Sequence, residues 1–408
     1  MRNVRLTKIT FIVLSISILA LAAGSTPSIA AVNSIAAKSQ ASSSIWVSAY
    51  YAIWVQRAGV LTPQKIDYTA FSHLIQFHDV PSDDGTLETP GNITPDEAAA
   101  VVTPAHAAGR KVILCIGGGD TSPHFRAAFA DAVRPTFIAN LIQRVVSRHY
   151  DGLDIDMEPL EDQDVPAYTT FIRELRVKML AVDPKLLLTC ATSSEPAVFA
   201  QLQGQFDQVN VMTYDQAGLW QGWKTWHNSS LYDGGDRRLN VERPFPSVQQ
   251  NIQKYIDAGI AKDKLGLGIA FYGYVWSGAE GPDESTQGVT LATIEYHKIM
   301  DDYNAPDRWH WDAAAHAPYL SITGPNVADH KFISFDDETV CKEKVQYAKA
   351  NGLGGVIIFE LGTGYRDSQP EGKKDALLQA VKKAWLVTPD TKSSTITQRS
   401  DAAKHAAG

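Results

Sequence analysis

The sequence predicts an α/β protein of the (β/α)8 TIM barrel class, with a small α+β insertion between strands seven and eight. From Ile45 onwards, short apolar or β-branched runs alternate with segments of helical periodicity. This alternation is typical of parallel strands joined by crossover helices. Eight such runs can be counted in the sequence, which is the number that closes a barrel. We therefore expect functional side chains to gather at the carboxyl ends of the strands.

The predicted strands are short and rich in Val, Ile, Leu and aromatic residues. Between them, apolar residues recur at helical spacing, as in Phe137, Leu141 and Val145, and Pro135 and Pro166 stand where a first helical turn tolerates proline. The strands are expected at residues 46–51, 73–77, 111–116, 152–158, 186–192, 208–214, 265–271 and 355–359.

The connection before the last strand is too long for a simple crossover. We expect the barrel to comprise residues 45–276 and 332–386, and residues 277–331 to form an inserted rim subdomain with a helix near 291–303 and a few strands. The alternative is a surface loop, but the aromatic content of the segment favours an ordered structure. Residues 387–408 are rich in Ser, Thr, Ala and Lys, so we expect a disordered tail.

The amino terminus has the pattern of a secretory signal peptide. Arg2, Arg5 and Lys8 precede an apolar run over 9–23, and Ser28-Ile29-Ala30 supplies small residues at a cleavage spacing. The apolar run is shorter than the roughly 17 residues that span a bilayer. We therefore expect residues 1–30 to be removed, and the mature protein to be extracellular or periplasmic with no membrane attachment.

Composition restricts the ligands that this protein can be expected to bind. A net charge of −8 argues against a nucleic-acid partner, because such proteins usually present a basic face. Cys115, Cys190 and Cys341 are far apart and odd in number, so they predict no disulfide framework. Neither the cysteines nor the histidines show metal-ligand spacing. We expect no metal, no cofactor and a monomeric protein.

The run from Asp151 to Pro159, which reads DGLDIDMEP, carries the clearest chemical signal. On a strand, Asp154, Asp156 and Glu158 would share one face, with about 6.6 Å between successive carboxylate positions. A solvated acidic edge is the simpler interpretation, but the intervening Leu, Ile and Met indicate burial. Crowded acids inside a cavity cannot all ionise at neutral pH, so one of them keeps a proton that it can donate.

Aromatic residues lie at or just beyond the predicted strand ends. Flat rings at the mouth of a barrel can stack on sugar faces, although any single ring could equally be a packing residue. Paired carboxylates beside such rings favour cleavage of a glycosidic bond. The rings belong to Tyr50, Tyr214, Trp220, Tyr272, Trp276 and Phe359.

The acidic run resembles the D-G-x-D-x-D-x-E signature of glycoside hydrolase family 18, the chitinases and their relatives. The matching positions are Asp151, Gly152, Asp154, Asp156 and Glu158. The resemblance extends over roughly 45–386, and the further matching stretches are Ala49-Tyr50-Tyr51, Gly117-Gly118, Met212-Thr213-Tyr214-Asp215 and Phe271-Tyr272-Gly273.

This resemblance implies a retaining, substrate-assisted mechanism in which the 2-acetamido group of the substrate is the nucleophile. Glu158 would protonate the glycosidic oxygen, Asp156 would hold the acetamide N–H, and Asp154 would share a proton with Asp156. Tyr214 would hydrogen-bond the acetamide oxygen, and Asp215 would support the distorted sugar. The substrate would be chitin or N-acetylglucosamine oligosaccharides.

The resemblance also implies a set of substrate-binding positions and a structural role for the start of the acidic run. Asp151 and Gly152 would organise the turn that enters the strand. The positions expected to bind sugar are Tyr50, Gly118, Met212, Trp220, Tyr272 and Phe359.

Three residues depart from the family pattern. Cys115 stands where many members have Ser, Gly119 where many chitinases have Trp, and Phe359 where a Trp usually forms the floor under the central sugar. The thiol is a weaker hydrogen-bonding group than a hydroxyl. Phe covers less sugar than Trp and has no indole N–H. These changes bear on affinity for long crystalline chains and on processivity.

Two other activities are compatible with the same residues. An endo-β-N-acetylglucosaminidase acting on N-glycans or on cell-wall glycan would use the same acids. A non-hydrolytic chitin-binding lectin of the same fold would bind the sugar without cutting it, but such proteins usually lack the terminal acid that Glu158 supplies.

Overall fold

A computed structural model describes residues 45–240 and 243–387, and it confirms the predicted fold class. Eight parallel strands close into a barrel in the order β1, β15, β9, β6, β5, β4, β3, β2. Their bounds are Trp46–Ala52 (β1), His73–Asp79 (β2), Lys111–Gly118 (β3), Gly152–Met157 (β4), Leu187–Thr192 (β5), Gln208–Val211 (β6), Leu265–Ala270 (β9) and Gly355–Phe359 (β15).

Helices connect these strands on the outside of the barrel. Their apolar faces cover the strands, as in α5, where Tyr168, Phe171, Ile172, Leu175 and Met179 are buried at helical spacing. The helices are Ile53–Ala58 (α1), Pro95–Ala107 (α2), Ser122–Ala128 (α3), Arg134–Ser147 (α4), Val165–Val182 (α5), Pro196–Leu202 (α6), Val248–Asp257 (α7), Tyr296–Lys298 (α8), Glu338–Ala350 (α9), Leu361–Gly364 (α10) and Ala376–Leu386 (α11).

Strands β4 and β6 end earlier than the sequence predicts. The expected strands 152–158 and 208–214 stop at Met157 and Val211. In β4 the pairing with β5 runs only to Ile155, and Pro159, two residues beyond the strand, has no N–H to donate to a ladder. Glu158 and Tyr214 therefore lie on the loops just past their strands, at the mouth of the barrel.

The insertion is built on a five-stranded antiparallel sheet. Its order is β11, β10, β14, β13, β12, with bounds Tyr272–Ser277 (β10), Thr290–Glu295 (β11), Trp309–Asp312 (β12), Ala317–Ile322 (β13) and Lys331–Ser334 (β14). A separate short ribbon pairs Arg238–Asn240 (β7) with Arg243–Pro244 (β8).

The prediction of a helix near 291–303 is wrong for the first half of this segment. Thr290–Glu295 is a strand that pairs antiparallel with β10, from Ser277 opposite Thr290 to Tyr272 opposite Glu295. The β-branched residues of this stretch suit a pleated surface, and β10 offers a free edge. Only Tyr296–Lys298 is α-helical, and it continues into a π-helical turn over Ile299–Tyr303.

A second hydrophobic cluster lies under the inserted sheet, separate from the barrel core. Trp226, Phe245, Trp276 and Phe332 are all fully buried in it. Trp276 was expected at the sugar-binding rim, and this expectation is wrong. Its indole Nε1 donates to the carbonyl oxygen of Trp226 at 3.0 Å. Trp276 shares a face of β10 with Tyr272 and Tyr274, but it lies further along the strand, where the second cluster encloses the ring.

Within residues 45–240 and 243–387, no helix is long and apolar enough to cross a membrane. The predicted signal peptide over 1–30 and nearly all of the predicted tail, from residue 388 onwards, lie outside the described residues.

Candidate active site

The acidic row enters the barrel interior on β4. Asp154 and Asp156 are buried, with exposed fractions of 0% and 2%, and Glu158 is half-buried at the mouth. The neighbouring strand β3 approaches very closely, with Gly117 opposite Asp156. A Cβ atom on Gly117 would lie 2.0 Å from the carbonyl oxygen of Asp156, so only glycine fits beside the acids.

Asp154 is the fully bonded member of the row. The Tyr50 hydroxyl donates to its Oδ2 at 2.8 Å, and the Thr189 hydroxyl donates to its Oδ1 at 2.5 Å. The thiol of Cys115 donates a further hydrogen bond. Burial raises the pKa of Asp154, and these three donors oppose that shift.

Asp156 shares a hydrogen bond with Glu158 but keeps one free acceptor. Its Oδ1 is buried and has no hydrogen-bond partner among the described residues. Burial raises the pKa of Asp156 well above its usual range, and the charges of Glu158 and Asp154 raise it further. The pair therefore holds a proton between its two carboxyl groups, and one oxygen remains available for a ligand N–H.

Glu158 is the acid nearest to solvent. Burial raises its pKa to about 6, the hydrogen bond from Asp156 opposes this shift, and the charges of Asp215 and Asp120 add to it. A carboxyl group with this pKa is partly protonated in mildly acidic solution, so it can both give and take a proton.

Tyr214 is held over the barrel by close packing on β9. A Cβ atom on Gly268 would lie 2.8 Å from Cε1 of its ring. The preceding Thr213 fixes the loop, because its hydroxyl donates to the carbonyl oxygen of Gly268 at 2.9 Å and accepts from the N–H of the same residue at 2.9 Å. The pKa of Tyr214 is raised well above its usual range by burial and by the charges of the acids, so it is a hydrogen-bond donor at neutral pH.

Asp215 adopts a left-handed backbone conformation with φ of 54°. Its N–H donates to Oδ1 of Asn228 at 2.9 Å, and the Tyr274 hydroxyl donates to its carboxylate at 2.8 Å. Tyr272 donates a second hydrogen bond, and burial of the carboxyl group raises its pKa. Sequence reasoning gave neither Asn228 nor Tyr274 a role in the site. The period-two spacing of Tyr272 and Tyr274 on one strand face was the available signal for the latter.

Four rings form what we call the aromatic cup, made of Tyr50, Phe77, Tyr214 and Phe359. Phe359 lies 5.6 Å from Tyr50, 5.5 Å from Phe77 and 6.1 Å from Tyr214, measured between ring centroids. Trp54 extends the cup towards solvent, at 5.5 Å from Phe77 and with 48% of its surface exposed. Phe77 and Trp54 were not predicted, although Trp54 follows Tyr50 closely on the first strand and helix.

Two of the remaining predicted residues, Asp151 and Gly152, lie away from the barrel mouth. Asp151 is at the amino end of β4, where it accepts from the Val112 N–H at 2.8 Å and pairs with His106 and Lys111. A Cβ atom on the adjacent Gly152 would lie 2.1 Å from the carbonyl oxygen of Leu187.

Trp220 is set apart from the acids and the cup. It is 51% exposed, and its ring contact within the described residues is with Trp223 at 4.4 Å. Gly118 is buried at the end of β3, where a Cβ atom would lie 2.7 Å from the ring of Phe77.

A cavity of about 250 Å³, which we call the side cavity, borders Glu158. The ends of β3, β4, β5 and β6 line it, with Gly119, Asp120, Glu158, Ser193, Ser194 and Met212 among its residues. The aromatic cup comes mainly from β1, β2 and β15, so the cup and the side cavity occupy opposite halves of the barrel mouth. Across the part of the chain that the structure describes, no group of three His, Cys, Asp or Glu could hold a metal ion.

The family model described as "Glycosyl hydrolases family 18" matches residues 47–364, which include both the acid row and the inserted sheet. The chain belongs to this glycosyl hydrolase family. The match confirms the family resemblance read from the acidic run.

Several curated members of the family carry chitinase names. Chitinase A1 of Niallia circulans is 30% identical over 301 residues, which are 65% of this chain and 42% of the relative. Chitinase 1 of Aphanocladium album is 26% identical over 63% of each chain. The chain thus matches less than two thirds of the length of these relatives.

Solved family 18 structures share the fold at lower identity. The Group IV chitinase of Ostrinia furnacalis, solved with allosamidin, covers 83% of this chain and 98% of its own, with a TM-score of 0.70 and 21% identity. The TsES1 chitinase of Trichuris suis has a TM-score of 0.72 and 22% identity over 83% of this chain and 99% of its own. These matches support the barrel and its insertion.

The structure shows what surrounds the three departures from the family pattern. Cys115 is fully buried, and its thiol donates a hydrogen bond to the carboxyl group of Asp154. Phe359 is in the centre of the aromatic cup. Gly119 is exposed at the edge of the side cavity, and a Cβ atom there would meet no atom within 4 Å.

Proposed function

We propose that this family 18 protein hydrolyses β-1,4 bonds between N-acetylglucosamine units of chitin by a retaining, substrate-assisted mechanism. The single observation that carries the proposal is the buried Oδ1 of Asp156, which has no hydrogen-bond partner among the described residues. This oxygen belongs to the carboxyl group that shares a hydrogen bond with Glu158, and it lies close to the Tyr214 ring. An acceptor that the protein leaves unsatisfied is costly unless a ligand N–H completes it. The N–H of a 2-acetamido group supplies that donor.

The proposed first step breaks the bond between the anomeric carbon and the glycosidic oxygen. The bonding electrons leave with the oxygen, which takes the proton of Glu158. The acetamide oxygen, oriented by Asp156 and Tyr214, forms a bond to the anomeric carbon from the opposite face and gives an oxazolinium ion. Holding the acetamide in place supplies a nucleophile of high effective concentration.

The proposed second step restores the sugar with its original anomeric configuration. The Glu158 carboxylate takes a proton from water, the water oxygen attacks the anomeric carbon, and the bond to the acetamide oxygen breaks. The three donors to Asp154 stabilise its own carboxylate. That charge disfavours ionisation of Asp156, which keeps the proton on the pair of Asp156 and Glu158. Asp215, anchored by Tyr272 and Tyr274, would support the distorted sugar ring.

The proposal includes secretion and a monomeric enzyme. Secretion is supported by the basic and apolar pattern of residues 1–30. Mass spectrometry of the exported protein would check it, and an amino terminus close to Ala31 is expected.

A product time course on acetylated chitin oligomers of several lengths tests the activity. New reducing ends are expected from N-acetylglucosamine oligomers, whereas a fully deacetylated chitosan oligomer, which has no acetamide, should resist. Binding without reducing-end release would indicate a lectin. Release from N-glycans or cell-wall glycan but not from chitin oligomers would indicate the alternative glucosaminidase. Equal cleavage of chitosan would overturn substrate assistance.

A further inference from the structure

The side cavity differs chemically from the aromatic cup. Among the described residues that line it, none is basic and none is aromatic, while Asp120 and Glu158 carry carboxyl groups and Thr192, Ser193 and Ser194 carry hydroxyls. Under the proposed function, Glu158 protonates the oxygen of the departing sugar. The side cavity, which borders Glu158 on the half of the mouth opposite the cup, is therefore where that departing sugar would lie.

Gly119 leaves this cavity without a stacking surface. A Cβ atom on this residue would meet no atom within 4 Å, so the space beside it is open. The lining keeps apolar contacts from Met157, Leu160 and Met212. With no ring to stack on the sugar face, polar and charged contacts contribute a larger share of the affinity for the departing unit. Asp120 is the lining carboxylate that is available for them.

Asp120 has no cationic partner of its own among the described residues. The basic side chains of the following helix α3 are engaged elsewhere: His124 pairs with Asp83 at 3.3 Å, and Arg126 pairs with Asp164 at 2.7 Å. The Asp120 side chain is exposed at the cavity edge, and its charge acts directly on Glu158. A protonated amino group here would pair with the Asp120 carboxylate, which a neutral N-acetyl group cannot do.

We propose that the side cavity, through Asp120, selects a departing sugar that carries a free, protonated 2-amino group. The preferred bond would then join an N-acetylglucosamine, held by Asp156 and Tyr214, to a glucosamine in the side cavity. Partially deacetylated chitin is the substrate class with this arrangement. This inference rests on the proposed function and specifies its substrate.

The test compares two tetrasaccharides cut at their central bond. One is fully acetylated, and the other has a free amino group on the third sugar only. For the wild-type protein we expect kcat/KM on the second to be about twofold to fivefold higher, the range of one exposed ion pair. The preference should shrink as salt is raised towards about 1 M, where the Debye length is about 3 Å.

Asp120→Asn isolates the charge of the carboxylate. Asp120 has φ of 62°, a conformation that Asn tolerates well, so the backbone should keep its form. In this variant the ratio of the two kcat/KM values should fall to about one. Asp120→Lys should reverse the ratio in favour of the acetylated oligomer. The matched control is Asp183→Asn, which removes an equal charge at the end of α5, before β5 begins, and should keep the wild-type ratio.

Two results separate this inference from the proposed function. Hydrolysis of both oligomers with an unchanged ratio in Asp120→Asn, or a wild-type preference for the acetylated oligomer, would overturn the role of Asp120 and leave chitin hydrolysis standing. Failure of the wild-type protein to cut either oligomer would overturn the proposed function itself.

Discussion

Glu158 is the proposed general acid and base, because it is the one acid of the row that reaches the barrel mouth. Replacing it with Gln keeps its size but removes its proton. We expect kcat on acetylated oligomers to fall by about 10²- to 10⁴-fold, the usual contribution of a general acid, with oligomer binding retained. Initial rates and calorimetry would measure this. Glu161→Gln is the control, since Glu161 pairs with Arg126 outside the site. Near-normal rates in Glu158→Gln would remove Glu158 from the acid role.

The raised pKa of Glu158 also has consequences for pH dependence. Activity requires its proton, so kcat/KM should fall as pH rises through about 6. The folded protein binds this proton more tightly than the unfolded chain, whose pKa is near 4.5, so stability falls as pH rises between 4.5 and about 6.

Glu158→Gln should therefore be more stable than the wild type by about 1–2 kcal/mol at pH 8, and the difference should vanish below pH 4.5. Urea unfolding at both pH values measures this. A variant less stable than wild type at pH 8 would contradict the inference that the ionised Glu158 carboxylate destabilises the folded protein.

At the scale of elements, the close approach of β3 and β4 packs Gly117 against the backbone of the acid row. Gly117→Ala would bring a Cβ to 2.0 Å from the Asp156 carbonyl oxygen, at a φ of 110° that Ala does not adopt. We expect a loss of about 3 kcal/mol in the free energy of unfolding and a loss of activity. Urea unfolding and oligomer hydrolysis would measure both.

Gly119→Ala gives a matched comparison two residues further along, where the new methyl group has open space. Its stability should stay within about 0.5 kcal/mol of wild type. Equal effects of the two substitutions would show that the approach of the strands does not constrain Gly117.

At the scale of the whole molecule, the inserted sheet is tied to the active site through buried polar contacts. Asp312 on β12 pairs with His227 at 3.0 Å and with Arg237 at 2.6 Å. His227 adjoins Asn228, whose side chain holds the backbone of Asp215. The insertion thus positions a residue of the proposed site as well as covering the barrel rim.

Asp312→Asn should destabilise the protein by about 2–3 kcal/mol at pH 7, because it removes the carboxylate that contacts buried His227 and pairs with the partly exposed Arg237, and it should lower kcat through Asp215. The contacts with His227 and Arg237 hold the pKa of Asp312 below its usual 3.8, so the wild-type advantage should shrink as pH falls below 3.8. Urea unfolding across pH measures this.

The half-buried pair of His316 and Glu343 provides the comparison. Glu343→Gln should change stability by less than about 1 kcal/mol. An Asp312→Asn effect of the same small size would mean that the buried pair does not anchor the insertion.

The fold class and the family could be predicted from sequence, because local periodicity marks strands and helices and because the acidic run places three carboxyl groups on one face. The shared face of Asp154 and Asp156 follows from the alternation of β4 alone, whereas Glu158 lies just past the end of that strand.

Contacts between distant parts of the chain decided the rest. Thr290–Glu295 is a strand because β10 offers it an edge, and Trp276 is buried because the inserted sheet covers it. The free oxygen of Asp156 and the open space beside Gly119 are visible only when the atoms of several strands surround them. Sequence order determines which side chains a strand presents, whereas burial and hydrogen-bond partners depend on which other elements pack against them.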